Sequence, residues 1–125
     1  MGGDEVMKIY VATKWENRQR ARIVMADLKD LGHTITWDWT NDAGDGVMNQ
    51  RKQAINDYNG VIDADAVVLI LENDYPYEGT LVELGIALGA GKPVFILGEA
   101  PVTKRCVFIQ HPNVFRGLSG LVGVR

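Results

Sequence analysis

Cysteine is nearly absent from this chain. Cys106 is the only one in 125 residues, so no internal disulfide forms. Its setting, "CVFI", reads as an apolar strand, which makes it a core or near-core thiol with no sign of an activating partner. Histidine is scarce too. His33 and His111 stand far apart, without the spacing of metal ligands, so neither a metal nor a cofactor is expected. Basic charge is not in excess: 13 Lys and Arg against 16 Asp and Glu leave a net charge of −3. No basic stripe is present, which excludes polymeric nucleic acid as the main partner, because phosphate binding needs clustered cations. Long hydrophobic runs are missing. The longest, Ala66–Leu71, falls far short of the ~20 residues that span a bilayer, so no membrane partner is expected. The N-terminus "MGGDEV" has neither a basic n-region nor an apolar h-region, so the expected location is cytoplasmic.

The remaining composition is that of a globular protein. Apolar residues make up 46% and charged residues 23%, and the length suits a single domain over residues 1–125, with residues 1–7 expected to be disordered. "KIYVAT" (Lys8–Thr13) reads as a buried strand. A helix follows, with Ala21, Val24, Leu28 and Leu31 at three- and four-residue intervals and Gly32 as its stop. "HTITW" (His33–Trp37) alternates like a second strand, and Asp38–Gly46 is a loop rich in Asp, Asn and Gly. Asn41–Gly46 superficially resembles a calcium loop but lacks the full spacing and the closing Glu. The periodicity predicts a helix over Val47–Asn59, with Met48, Arg51, Ile55, Tyr58 and Ile62 on one face. "ADAVVLIL" (Ala64–Leu71) has the uninterrupted apolar character of a central parallel strand. A third helix is expected over Thr80–Ala90, closed by Gly91 and Pro93, then a strand at Pro93–Leu97 and a fifth at Cys106–Ile109. The segment Asn113–Val122 is expected to hold a short helix.

Strands alternating with helices imply one α/β domain of flavodoxin-like, Rossmann-like type. It is expected to have a five-stranded parallel sheet in the order 2-1-3-4-5 and helices on both faces. Ligands of such sheets bind beyond the carboxyl ends of the strands, where the order reverses. Here that point is flanked by "TKWEN" (Thr13–Asn17) and "ENDYPYEGT" (Glu72–Thr80).

Glu83 lies just past the second segment, among Leu81, Val82, Leu84, Ile86 and Ala87. An isolated buried carboxylate is costly, so it must pair, cap, neutralise or react. "TLVE" (Thr80–Glu83) matches a capping box in the first helical turn, and capping and catalysis both remain open on the residues alone. Either role, helped by the helix dipole, favours an ionised Glu83. Tyr10, next to the reversal point, is placed to donate a hydrogen bond to a carboxylate or to pack in the core. Asp57 sits off the apolar stripe of the second helix, where it either faces solvent or works. Asp65, opening the third strand, reads as a turn or edge contact. Trp15, Trp37 and Trp39 are candidates for stacking on an aromatic ligand or for core and rim packing.

Three stretches, "KIYVATKWENRQRA", "DYNGVIDADAVVLIL" and "EGTLVELGIALGAGKPVFIL", resemble the nucleoside 2-deoxyribosyltransferase family and its relatives, the 2′-deoxynucleoside 5′-monophosphate N-glycosidases. The pattern G-x-x-x-E-L-G-x-A-x-x-x-G-K, Gly79–Lys92, is the most specific part. The resemblance implies that Glu83 is a nucleophile forming a covalent glycosyl intermediate, that Tyr10 orients it, and that Asp57 lies near sugar and base. It implies cleavage or transfer of the N-glycosidic bond of a 2′-deoxynucleoside or its 5′-monophosphate, and a homodimer or larger assembly. A small-molecule nucleoside or nucleotide is then the expected partner. Thr13, Lys14, Trp15, Arg18, Trp39, Tyr77, Glu78 and Gly79 become candidate substrate-binding residues. Two departures stand out. The position six residues before Glu83, where the transferases carry a second Asp, is Tyr77, with Glu78 beside it. "ATKWENRQR" holds basic residues but none of the Gly of the glycosidases' phosphate loop. A non-catalytic nucleotide-binding or signalling domain, and a glycohydrolase of a ribosylated cofactor such as NAD, are the competing readings.

Overall fold

The computed structural model of the chain describes residues 6–41 and 46–122. Five strands form one parallel sheet: β1 (Lys8–Ala12), β2 (Thr34–Ile35), β3 (Ala66–Ile70), β4 (Val94–Leu97) and β5 (Val114–Arg116). Their order is β2-β1-β3-β4-β5, as the alternating pattern implies. Helices α1 (Arg18–Asp30), α2 (Gly46–Asp63) and α3 (Glu78–Gly89) are the long crossovers; α4 (Val102–Arg105) and α5 (Ser119–Val122) are short. The sheet centre is β3, whose five residues are all fully buried, which accounts for its unbroken apolar sequence.

Helix stops follow the glycines. At the end of α1, Gly32 takes φ +98, its N–H reaches Lys29 O and the His33 N–H reaches Leu28 O. This is the Schellman arrangement, and Gly91 (φ +74) repeats it after α3 with Lys92 N–H on Ala87 O. The face of α1 is also as expected: Ala21, Val24 and Leu28 are buried, joined by Met25.

Three expectations are corrected. The fifth strand is Val114–Arg116, and Val107–Gln110 is a 3-10 turn with Val107 and Phe108 exposed. Chain length explains this. Residues 98–105 would leave eight residues between β4 and a strand at Cys106, whereas a parallel crossover needs about 10–12 or more; residues 98–113 supply sixteen. Helix α2 is longer than expected, and its apolar face is not the expected one. Arg51, Ile55 and Tyr58 are exposed and Ile62 is half-buried, while Gly60 and Val61 carry the buried contact; the Met48 side chain lies outside the described residues. Third, α3 begins at Glu78, two residues early. Tyr77 is its N-cap, in the left-handed region at φ 55, and no side chain caps the helix. The Thr80–Glu83 capping box is therefore not made, and Glu83 lies in the second turn.

The expected N-terminal disorder falls partly on residues 1–5, outside the described residues; Met7 already joins the fold, its N–H on His33 Nδ1 and its carbonyl accepting from Thr34 N–H. His33 Nε2 then donates to Leu121 O, which fixes its tautomer and explains this buried histidine structurally. Most of the loop that superficially resembles a calcium site, residues 42–45, also lies outside the described residues. Asp65 is the edge contact foreseen for it, accepting the Lys8 N–H at 2.9 Å. Among the described residues no helix is long and apolar enough to cross a membrane.

Candidate active site

Strand alternation decides where Tyr10 points. Ile9, Tyr10 and Val11 are all buried, but Tyr10 faces the side covered by α2 and α3. Its ring lies against Gly60 of α2, where an added Cβ would stand 2.7 Å from Cδ1 and 2.8 Å from Cε1. Helix and strand approach this closely only because residue 60 has no side chain. The Tyr10 hydroxyl donates to Glu83 Oε2 at 2.6 Å, joining residues 73 apart in sequence. The expected hydrogen bond is thus present, and it replaces the cap as the partner of the Glu83 carboxyl.

Burial dominates the electrostatics. Removal from water pushes the Glu83 carboxyl up from its ordinary 4.5 to about 8. The Tyr10 hydrogen bond acts against this rise and the Asp57 charge adds to it. The sequence leads one to expect an ionised Glu83 near neutrality; in the free site the acid form predominates there instead. Burial also raises the Tyr10 phenol far above its usual range, helped by the charges of Glu83 and Asp57, so it remains a donor.

The carboxyl opens onto a cleft of about 180 Å³ lined by Tyr10, Thr13, Trp15, Trp39, Gln53, Asp57, Gly79 and Glu83. A neighbouring chamber of about 310 Å³ lies between α2 and α3 and shares Gln53, Asp57, Gly79 and Glu83 with it. Two larger depressions, about 410 Å³ by the ends of β4 and β5 and about 470 Å³ along α3, contain none of Tyr10, Asp57 and Glu83. The site is placed by its chemistry, not by size.

Seven sequence candidates meet in the 180 Å³ cleft: Tyr10, Thr13, Trp15, Trp39, Asp57, Gly79 and Glu83. Thr13 is fixed by donating to Ile70 O at 2.7 Å, which ties the ends of β1 and β3 together at the reversal point. Trp39 is buried and donates its indole N–H to Val11 O; its ring centroid is 6.3 Å from that of Trp15. Four candidates do not line the cleft. Tyr77 is turned into the core, its hydroxyl accepting from Asn73 N–H and its ring edge-on to Tyr75. Glu78 is an exposed first residue of α3. Lys14 lies 3.9 Å from Glu16, and Arg18 stacks over Trp15 at 4.5 Å. Arg20 is held by Glu72 through two contacts of 3.0 Å, a tie between α1 and the segment after β3.

Two features of the site go beyond the sequence reading. Gln53 lies one helical turn before Asp57, so the i, i+4 spacing places both at the cleft and is legible once Asp57 is suspected. Trp37 reads from the sequence only as a stacking or packing residue. It donates its indole N–H to Asp57 Oδ1 at 3.0 Å, a contact with no local sequence signal. Among the described residues no group of three or more His, Cys, Asp and Glu could hold a metal ion.

Comparison with known proteins identifies a family and two similar folds. A family model described as nucleoside 2-deoxyribosyltransferase matches residues 9–110. The structure is similar to that of a 2-deoxyribosyltransferase from Bacillus psychrosaccharolyticus, described as a biocatalyst for nucleoside synthesis, with a TM-score of 0.61 and 26% identity over 75% of this chain and 74% of that one. It shares its fold with a CMP N-glycosidase of Clostridium botulinum, with a TM-score of 0.59 and 19% identity over 88% and 87% of the two chains. A search of curated protein sequences finds no significant match. The family match spans β1 through the 3-10 turn after α4 and so includes Tyr10, Asp57 and Glu83, and the chain belongs to the nucleoside 2-deoxyribosyltransferase family of enzymes.

Proposed function

We propose that this protein cleaves or transfers the N-glycosidic bond of a 2′-deoxynucleoside or its 5′-monophosphate, with Glu83 as the nucleophile. The observation that carries the reading is the Glu83 carboxyl, held at 2.6 Å by a buried phenol and opening onto a cleft that also contains Asp57. In the first step a Glu83 oxygen attacks C1′ from the face opposite the base. The C1′–N bond breaks, its electron pair leaves with the base, and a glycosyl ester remains on Glu83. Asp57, which lines the cleft, supplies a proton or hydrogen bond to the departing base from its acid form. In the second step water, or the nitrogen of another base, attacks C1′. The ester C–O bond breaks, Glu83 regains its carboxylate and the attacking group gives its proton to the Asp57 carboxylate. The Tyr10 donor favours the charged form of Glu83 throughout. Trp15 and Trp39 offer aromatic surface beside the cleft.

The test is chromatographic. The protein is incubated with 2′-deoxynucleosides, their monophosphates and NAD, each with and without a second free base, beside Glu83→Gln. Free base from a deoxynucleoside substrate, abolished in the variant, supports the reading; a new nucleoside formed from the added base separates transfer from hydrolysis. Base release only from NAD, or undiminished release by Glu83→Gln, overturns it. The exposed Tyr58 of α2 and Val82 of α3 give the chamber beside the cleft apolar surface and support self-association as a dimer or larger assembly. Sedimentation as a monomer at tens of micromolar would refute that part.

A further inference from the structure

We infer that Trp37 is a positioning residue, which sets the cleft-facing carboxylate of Asp57 through its indole N–H and fixes α2 against Tyr10. The chain beyond β2 grips α2 at two points. Thr36 Oγ1 donates to Gly60 O at 2.7 Å, and Trp37 Nε1 donates to Asp57 Oδ1 at 3.0 Å. Between these bonds lies the tightest approach in the site. A Cβ at Gly60 would stand 3.0 Å from the Trp37 Cβ and 2.7 Å from the Tyr10 ring, so Trp37, Gly60 and Tyr10 meet at one point. Asp57 is three residues earlier on the same helix, and Glu83 is bonded to the same Tyr10. One junction therefore controls both carboxyls: the Tyr10 side through packing, the Asp57 side through a directed hydrogen bond.

The chemistry of the donor matters. An indole N–H donates one bond and accepts none, so it occupies one oxygen of Asp57 in a fixed direction. The χ2 torsion of an aspartate is broad, and the indole bond to Oδ1 is one of the contacts that narrow it, the Tyr10 phenol being another. Trp37 is half-buried and packs against the core, so its ring is itself fixed. Trp39, two residues on, does not share this task, because its N–H is used on Val11 O.

The inference rests on the proposed function for its kinetic readout, and a double-mutant cycle tests it. Trp37→Phe keeps the aromatic volume and removes the N–H; loss of orientation is expected to lower kcat by roughly 10- to 100-fold. If Trp37 acts through Asp57, Trp37→Phe adds no further loss in an Asp57→Ala background. An equal loss in both backgrounds means a packing role and overturns the inference, as does a Trp37→Phe enzyme with wild-type kcat. If the wild type releases no base from any substrate tried, the proposed function fails, and the inference is decided by NMR. The indole 15N–1H signal of Trp37 is expected to move in Asp57→Ala while that of Trp39 stays; an unmoved Trp37 signal overturns it. The NMR arm needs no Trp37 variant beyond one to assign the peak.

Discussion

Glu83→Gln tests the electrostatic account of the site without reference to any substrate. Glutamine keeps the size of the side chain and an oxygen that accepts from the Tyr10 hydroxyl, but it cannot ionise. In the wild type the folded carboxyl titrates at about 8 against an ordinary 4.5. A group whose folded pKa is raised contributes stability that is fully present below its unfolded value. That contribution is lost as pH rises through the folded pKa. The wild type should therefore lose stability from this group between about pH 4.5 and 8. The full shift corresponds to a loss on the order of a few kcal/mol once the partial solvent access of the half-buried group is allowed for. The amide variant has no such loss. At pH 5 the two proteins should melt within about 2 °C of each other. At pH 9 the variant should melt roughly 10 °C higher, since each kcal/mol moves Tm by several degrees at this chain length. Circular dichroism melts of both proteins at half-unit steps from pH 5 to 9 measure the difference, in which titrations common to both cancel. Parallel Tm profiles across that range would refute the claim that Glu83 is held as a desolvated acid. The same variant should have lost base release by orders of magnitude at every pH, so stability and activity would move in opposite directions at pH 9.

Other consequences are open to direct measurement. Because the nucleophile must be ionised, kcat/KM should rise tenfold per pH unit below about 8 and level above it; a flat profile from pH 6 to 9 would argue against Glu83 as the attacking group. Tyr10→Phe removes the donor that opposes the rise of the Glu83 pKa, so the acidic limb should move to higher pH and base release fall at least tenfold at pH 7, as pH–rate profiles would show. Gly60→Ala places a methyl into the Tyr10 ring and should destabilise by about 1–3 kcal/mol in chemical denaturation; a wild-type midpoint would mean that α2 is free to shift. Lys92 Nζ bonds Ile62 O at 2.8 Å and Ala64 O at 2.6 Å across the end of α2, so Lys92→Met should cost about 1–3 kcal/mol in the same assay.

The order of elements as far as β4 needed no structure. A continuous apolar run bounded by polar loops marks β3, three- and four-residue spacing marks α1, and glycines at 32 and 91 mark helix stops. These signals are local, because backbone hydrogen bonding and left-handed φ depend on a few neighbouring residues. Alternation then leaves few parallel topologies, and the reversal between β1 and β3 points to the cleft that Tyr10, Asp57 and Glu83 line. Position within an element was legible for Tyr10, Asp57 and Glu83 to the extent that it put them near that crevice. What they do to one another was decided by tertiary structure. The Tyr10–Glu83 bond spans 73 residues and the Trp37–Asp57 bond spans 20, and neither leaves a periodic trace. The capping box failed for the same reason. Thr80 and Glu83 have the local pattern of a cap, but the left-handed Tyr77 starts the helix earlier and a phenol from β1 claims the carboxyl. The exposed Ile55 and Tyr58 show that helical periodicity names an apolar face but not what covers it. The proton affinity of Glu83 was beyond the sequence altogether, because it is set by how much water three packed elements exclude from one side chain.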